Sequence, residues 1–268
     1  MRPLAPLGRR RVAVVAATDI GAYRILHAED LTGPAPAPGQ FYMLAAAERW
    51  GAGEDERPYL PRAFSYMTAS DGRLSFMLER VGPGTTRLAE LEPDDELWLT
   101  GPLGEGFREP TEDRRAILAG GGVGVPPLRA LATWLDDPRL RVDALLGFRD
   151  AHHAQVADAL FAGVGLQVAT DDGSVGHHGF VTELLAAELD ADAHAVVYAC
   201  GPPGMLEAVR ALCAAREVPA QLALEAGMAC GFGACYGCVV PVRDGGYVRL
   251  CIDGPVLDGD VLDHVPVH

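Results

Sequence analysis

Cys230, Cys235, Cys238 and Cys251 are the residues whose spacing most constrains chemistry. A C-x4-C-x2-C run with a distant fourth cysteine is one arrangement by which protein thiolates hold a 2Fe–2S cluster. Three thiolates can wrap one side of a compact inorganic core only if the loop turns sharply, and the fourth must arrive from a separate segment. Gly227, Gly231, Gly233 and Gly237 are interleaved with the cysteines. Glycine permits positive φ and lets backbone N–H groups face the sulfurs, whose negative charge they offset. Such a cluster moves one electron at a time, so the loop reads as one step of a redox relay. A four-thiolate zinc site and a pair of disulfides are the alternatives. Zinc sites usually pair their cysteines as C-x2-4-C twice, and Cys251 has no such close partner. Disulfides dominate short secreted scaffolds, whereas this chain has 268 residues and six cysteines.

Two further stretches have the residue types of nucleotide sites. Gly120-Gly121-Gly122-Val123-Gly124-Val125-Pro126-Pro127 follows an apolar run and precedes an expected helix. A turn of this kind, with Gly120, Gly121, Gly122 and Gly124, lets backbone approach a pyrophosphate while the helix N-terminus stabilises its charge. The full G-x-G-x-x-G fingerprint fails at Pro127, and a tight turn without ligand is the competing reading. Cys200-Gly201-Pro202-Pro203-Gly204-Met205 closes a later strand in the same manner, so both turns can line one crevice at the carboxyl edge of a sheet. Cys200 either faces a ligand there or is a buried apolar thiol; Cys213 is assigned to packing. Nearer the N-terminus, Arg62-Ala63-Phe64-Ser65 sets an arginine three residues from a serine, and Gly82-Pro83-Gly84-Thr85-Thr86 opens a short helix. An arginine and a Gly-Thr helix start complement a second pyrophosphate; a surface arginine and a capped turn are the plainer readings.

The elements needed to position these groups fall into two rhythms. Up to about residue 107, short runs rich in β-formers (12–17, 40–45, 63–68, 73–81 and 96–100) are broken by Gly, Pro and charge, which predicts an antiparallel barrel. Residues 47–61 read as an exposed loop. After about residue 112 strands (116–119, 142–148, 166–170, 195–200) alternate with helices (126–135, 154–161, 182–189, 205–216), which predicts a parallel sheet covered on both faces. The expected partition is 1–111, 112–222 and 223–268. Net charge is −15 with no basic run longer than Arg9-Arg10-Arg11, so nucleic acid is not an expected partner. The apolar run after those arginines is too short for a signal peptide, and no run approaches the ~18 apolar residues of a membrane span, so a soluble cytoplasmic protein is expected.

In combination and order, Arg62-Ala63-Phe64-Ser65, Gly84-Thr85, Gly101-Pro102-Leu103-Gly104-Glu105-Gly106-Phe107, the two glycine turns and the cysteine loop resemble the ferredoxin–NADP reductase superfamily. More narrowly, Gly120 through Leu128, Asp172-Gly173-Ser174-Val175-Gly176, Gly179-Phe180-Val181-Thr182 and Cys251-Ile252-Asp253-Gly254-Pro255-Val256 resemble the electron-transfer subunits of NAD-dependent (class 1B) dihydroorotate dehydrogenases. The resemblance covers nearly the whole chain. It implies an antiparallel FAD-binding β-barrel, a parallel-sheet NAD-binding α/β domain and a small C-terminal 2Fe–2S module, with NAD as substrate. It places Arg62, Ala63, Phe64 and Ser65 on FAD, Leu78, Glu79 and Arg80 along the flavin or its ribityl chain, and Gly84 and Thr85 on its pyrophosphate. Ala63 stands where the family usually has Pro. It also implies an FMN-containing catalytic partner in a heterotetramer serving pyrimidine (UMP) biosynthesis. The cofactor sites occupy the whole chain, leaving no β/α barrel for an organic substrate. An NAD(P)H reductase subunit serving ferredoxin or sulfur metabolism is the alternative with the same cofactors, and a zinc-stabilised non-enzymatic binding module is the alternative from another class. Arg149 and Asp150 both follow the second α/β strand, where an acid favours NAD and a base NADP, and their adjacency leaves that choice to the resemblance.

Overall fold

The computed structural model describes residues 8–51, 57–110 and 114–266. Residues 52–56 of the expected exposed loop, and the expected boundary at 111/112, lie outside the described residues.

The first half contains β1 (Arg10–Ile20), β2 (Tyr23–Glu29), β3 (Phe41–Ala46), β4 (Arg62–Ser65), β5 (Thr68–Ser70), β6 (Arg73–Glu79), α1 (Pro83–Ala89) and β7 (Glu96–Leu103). The seven strands form one antiparallel sheet in the order β4-β3-β7-β1-β2-β6-β5. β1 belongs to both halves of it: Arg10 to Ala13 pair with β7, later residues pair with β2, and the register shifts between Val14 and Ala16. Such an irregularity bends a strand, and the sheet curls until β4 meets β6. Val14, Leu26, Tyr42, Leu44, Phe76, Leu78 and Leu99 fill the resulting barrel. β2 is absent from the sequence expectation because Arg24 and His27 interrupt its apolar pattern. Arg24 is nevertheless buried, its guanidinium paired with Asp19 and Glu92. The expected strand over 63–68 divides at Tyr66-Met67 into β4 and β5.

The second half contains β8 (Arg115–Gly121), α2 (Val125–Trp134), β9 (Val142–Phe148), α3 (Ala151–Phe161), β10 (Gly165–Thr170), β11 (His177–His178), α4 (Val181–Ala191), β12 (Ala195–Cys200), α5 (Pro203–Ala215) and β13 (Ala220–Ala223). The C-terminal segment adds β14 (Val239–Pro241), β15 (Tyr247–Arg249) and β16 (Val256–Asp258). The large sheet runs β11-β10-β9-β8-β12-β13-β16, parallel except for β16, while β14 and β15 form a separate antiparallel hairpin. Strand residues alternate between faces with period two. Ile117, Ala119, Leu145, Val197 and Ala199 pack under α4 and α5; Ala116, Leu118, Ala144, Leu146 and Val196 pack under α2 and α3. Burial on both faces explains why these strands read as continuous apolar runs. The same two cores continue beyond the sheet, one into Phe41, Met43 and Leu103 of the barrel and Cys238, Val240 and Leu250 of the C-terminal segment, the other into Tyr23, Ile25 and Met77 of the barrel. Among the described residues no helix is long and apolar enough to cross a membrane.

Arg115, at the start of β8 and 6% exposed, ties the sheet to α4. Its Nη1 donates to Glu188 at 2.8 Å and to Asp143 at 3.2 Å, and its Nη2 donates to the carbonyls of Glu188 and Asp192, both at 2.8 Å. Arg115→Met is expected to lower unfolding stability by about 3 kcal/mol in urea titrations, since it strands buried acceptors. The Arg115 hydrogen bond, outweighing burial, holds the Glu188 carboxyl below its ordinary range. A carboxyl depressed in the folded state contributes stability above its unfolded pKa and loses it as pH falls through the folded value. The gap between wild type and Arg115→Met is therefore expected to be full above about pH 5 and to narrow below about pH 4; a gap that does not change with pH would remove Glu188 from the account.

Candidate functional site

One cleft is walled by all three parts of the chain. Ala63, Phe64, Ser65, Glu79 and Thr85 come from the barrel; Val123, Pro126 and Cys200 come from the two glycine turns; Leu224, Glu225 and Met228 come from the segment that leads into the cysteine loop.

On the barrel side, Arg62 and Gly84 are neighbours, because a Cβ added to Gly84 would lie 2.6 Å from Arg62 Nε. Glycine there gives the guanidinium room beside the start of α1. Arg62 Nη1 donates to the Leu60 carbonyl at 2.6 Å. Thr85 Oγ1 accepts from the N–H groups of Val81 and Gly82, at 3.0 and 3.1 Å, and so fixes the turn into α1. The three consecutive residues at the end of β6 part company. Leu78 is fully buried in the barrel core, Glu79 lines the cleft and ion-pairs with Arg149 at 2.5 Å, and Arg80 donates to the Ala89 carbonyl at 2.9 Å.

The two strand-to-helix turns meet back to back. Gly122 has φ +51, and a Cβ at Gly124 would fall on the carbonyl of Cys200 and 2.5 Å from the Gly201 nitrogen. Gly201 has φ +159 and lies against Gly121, whose nitrogen a Cβ on Gly201 would approach to 3.0 Å. Gly120, one residue inside β8, packs against Leu146 and Leu128. Cys200 is buried at the base of the cleft; burial first, then the Glu225 charge, push its thiol well above the usual range.

The four cysteines lie in one loop region with two depths: Cys238 and Cys251 are buried with their sulfurs 3.2 Å apart, while Cys230 is part-buried and Cys235 exposed. Backbone N–H groups face the sulfurs: Gly233 donates to Cys251 at 3.1 Å and Gly237 to Cys235 at 3.4 Å. Of the four glycines expected to turn this loop, Gly231 and Gly233 have positive φ whereas Gly227 and Gly237 do not, and Tyr236 takes φ +58 instead. Burial raises the Cys230 thiol, yet the N–H groups of Phe232, Cys235 and Ala234, with the Cys235 side chain, outweigh it and bring the thiol to about 6. Burial and the adjacent Cys238 thiol push Cys251 up to about 12. Four thiols are the donor set a two-iron rhombic core takes. Among the described residues no three donors are already closed on one metal position; it is the donor chemistry, four thiols with backbone N–H groups facing two of them, that fits such a cluster, whose positive irons would draw the proton from the buried pair as ligands require.

Glu225 and Arg249 escape sequence reasoning, as does the place at the cleft of Met228, the first residue of the expected cluster cradle. Glu225 faces the cleft from a concave wall, exposed on one side and crowded by protein on the other, and burial raises its carboxyl. The sequence signal for it is a lone acid directly after the apolar run of β13. Met228 carries the cysteine loop to the edge of the cleft. Arg249 sets its guanidinium over the Tyr236 ring at 5.5 Å, donates to the Gly233 carbonyl at 3.3 Å and ion-pairs with Asp253 at 3.8 Å, so it braces the loop that carries the cysteines.

Residues 225–263 match the iron-sulfur cluster binding domain of dihydroorotate dehydrogenase B. The chain is 38% identical over 260 residues, 93% of this chain and 96% of the other, to a dihydroorotate dehydrogenase B (NAD(+)), electron transfer subunit of Geobacillus kaustophilus. It is 37% identical over 226 residues, 84% and 85% of the two chains, to the electron transfer subunit of the same description from Clostridium acetobutylicum. Among solved structures, the fold is shared with an NADH-dependent reduced ferredoxin-NADP oxidoreductase, at TM-score 0.82 and 24% identity over 96% of this chain and 91% of that one. A ferredoxin reductase of carbazole 1,9a-dioxygenase superposes at TM-score 0.69 and 25% identity, over 81% and 67% of the two chains. With relatives at 37–38% identity over most of the chain, and with the cluster-binding domain matched over residues 225–263, the stretch that holds all four cysteines, this chain belongs to the family of dihydroorotate dehydrogenase B (NAD(+)) electron transfer subunits.

Proposed function

We propose that this chain carries electrons between NAD+ and a partner dihydroorotate dehydrogenase catalytic subunit, with FAD in the shared cleft and a 2Fe–2S cluster on Cys230, Cys235, Cys238 and Cys251, in pyrimidine (UMP) biosynthesis in the cytoplasm. The observation that carries this reading is the cleft itself, where barrel, glycine turns and cysteine-loop segment contribute adjacent wall. When bound, FAD supplies the exchange between two-electron hydride transfer and one-electron transfer, and the cluster supplies one-electron carriage. The chain's own residues orient and insulate. Arg62, beside Gly84, offers charge-assisted donors to a diphosphate, and Thr85 holds the turn that presents it. Ala63, Phe64 and Ser65 wall the flavin, with Leu78 supporting from the barrel core. The turns at Gly120, Gly121, Gly122, Gly124 and Gly201 let the dinucleotide approach the N-terminus of α2. Cys200 keeps its proton and so adds no charge beside the nicotinamide, while Ser65 and Glu225 line the same cleft. Burial of Cys238 and Cys251 excludes water from the inner end of the cluster. We assign the partner as FMN-containing, the assembly as a heterotetramer of two subunits of each kind, and the units of this chain as 1–111, 112–222 and 223–268.

Two measurements test the cofactor sites. Arg62→Ala is expected to weaken FAD binding about ten- to a hundredfold, as loss of a charge-assisted hydrogen bond implies; unchanged flavin retention would place the diphosphate elsewhere. Cys235→Ser is expected to bleach the visible bands of the cluster, whereas Cys213→Ser, deep in the α5 core, leaves them intact.

The relay itself is tested by reconstitution. The chain alone, supplied with NADH, is expected to reduce artificial acceptors and to leave dihydroorotate unoxidised. With the catalytic subunit added, NAD-dependent dihydroorotate oxidation should appear. Cys235→Ser should abolish that coupled reaction while sparing the partner's reaction with a dye. Full coupled activity without the cluster would refute the relay.

A further inference from the structure

Arg149 and Asp150 follow directly on β9, the second strand of the parallel sheet. In open α/β sheets an acid near this position hydrogen-bonds the ribose 2′-hydroxyl of NAD, and an arginine there takes the 2′-phosphate of NADP. The structure gives the two residues different occupations. Asp150 caps α3, its Oδ1 accepting from the His153 backbone N–H at 3.0 Å and pairing with His153 Nδ1 at 2.8 Å. Arg149 reaches out of its own domain to Glu79 on β6 of the barrel, Nη2 to Oε1 at 2.5 Å, with His153 Nε2 at 3.0 Å from the same nitrogen. The Glu79 side chain is 19% exposed and that of Arg149 64%, so the carboxylate is the fixed member and the guanidinium the movable one. The loop after β10 closes on the same place: the Asp172 N–H donates to the Arg149 carbonyl at 3.3 Å, and Ser174 Oγ accepts from the Ala151 N–H at 2.7 Å.

A guanidinium already paired with a carboxylate has little positive charge left to offer a phosphate. Releasing it requires breaking an ion pair whose acidic member is largely enclosed, and such a carboxylate is costly to leave unpaired. We propose that Glu79 is a specificity-determining residue: from the flavin side it occupies Arg149 and thereby sets the chain against the 2′-phosphate of NADP. The inference rests on the reading that NAD docks along the carboxyl edge of β8 and β9. It explains how a chain with a base at this position can use the dinucleotide that lacks the phosphate.

The test is flavin reduction by NADH and by NADPH in stopped flow, with the FAD- and cluster-loaded chain. Glu79→Gln keeps the shape of the side chain and removes its charge. The NADPH-to-NADH ratio of second-order reduction rates is expected to rise about tenfold, the size of one charge-assisted hydrogen bond regained. In Glu79→Gln/Arg149→Met the ratio should return to the wild-type value. Because Glu79 also lines the cleft, flavin content is read from absorbance in each variant; the ratio is indifferent to flavin loss, as both nucleotides meet the same bound flavin. An unchanged ratio in Glu79→Gln, or a raised ratio that persists in the double variant, overturns the role of Glu79 while leaving the NAD site in place. Wild-type protein whose flavin NADH fails to reduce overturns the docking reading, and this inference with it.

Discussion

The close approach of two backbone turns governs the geometry of this molecule. Where β8 enters α2 and β12 enters α5, Gly124 lies so near the Cys200 carbonyl and the Gly201 nitrogen that no side chain fits between them. The obstacle is backbone on both sides, which cannot rotate away as a side-chain end can. Because the turns touch, the carboxyl edges of the two central strands form one continuous floor. Cys200 becomes its base, and the chain beyond β13 is delivered beside it as Leu224, Glu225 and Met228. Only then can the barrel, arriving from the other side with Ser65 and Thr85, enclose a cleft.

Enclosure also depends on cores that do not stop at domain boundaries. Phe41, Met43 and Leu103 of the barrel share one apolar cluster with the sheet and with Cys238 and Cys251. Gly231 extends that seam: a Cβ there would meet Met43 Cγ at 2.7 Å, so the cysteine loop lies directly on barrel strand β3. Fully burying a leucine- or methionine-sized side chain contributes roughly 1.5–3 kcal/mol. Several such residues at each junction make relative motion of the three parts costly. For electron transfer that rigidity is useful, because the separation between carriers is then set by packing and not by diffusion of tethered units.

Legibility from sequence followed the strictness of the chemistry. The cysteines, and the glycine turns at 120–124 and 200–204, could be read because sulfur ligation and backbone approach each admit few residue types. The alternation of strands and helices after residue 112 was equally plain, since strands buried on both faces carry unbroken apolar runs. β2 was hidden because Arg24 is buried through ion pairs with Asp19 and Glu92, partners that no local pattern announces. β16 was hidden for a different reason: three residues, Val256–Asp258, are strand only because β13 offers an edge to pair with. Glu79 and Glu225 share that difficulty. Glu79 ends an apolar strand and Glu225 follows one, and only the tertiary fold shows that the first is matched by Arg149 and the second lines a cleft wall.

Charge is distributed in keeping with this arrangement. The chain carries a net −15, and a thiolate-ligated cluster adds further negative charge. Two oriented groups oppose it locally, the N–H groups of Gly233 and Gly237, and the Arg249 guanidinium braces the loop that carries them. At the cleft floor the arrangement differs: burial, helped by the Glu225 charge, keeps the Cys200 thiol well above its usual range, and the Glu225 carboxyl is itself raised from its ordinary value. A neutral Cys200 thiol at the floor places no fixed charge where the cleft would hold a flavin. At the carboxyl end of β9 the charge is paired instead, since the Arg149 guanidinium is held by the Glu79 carboxylate of the barrel.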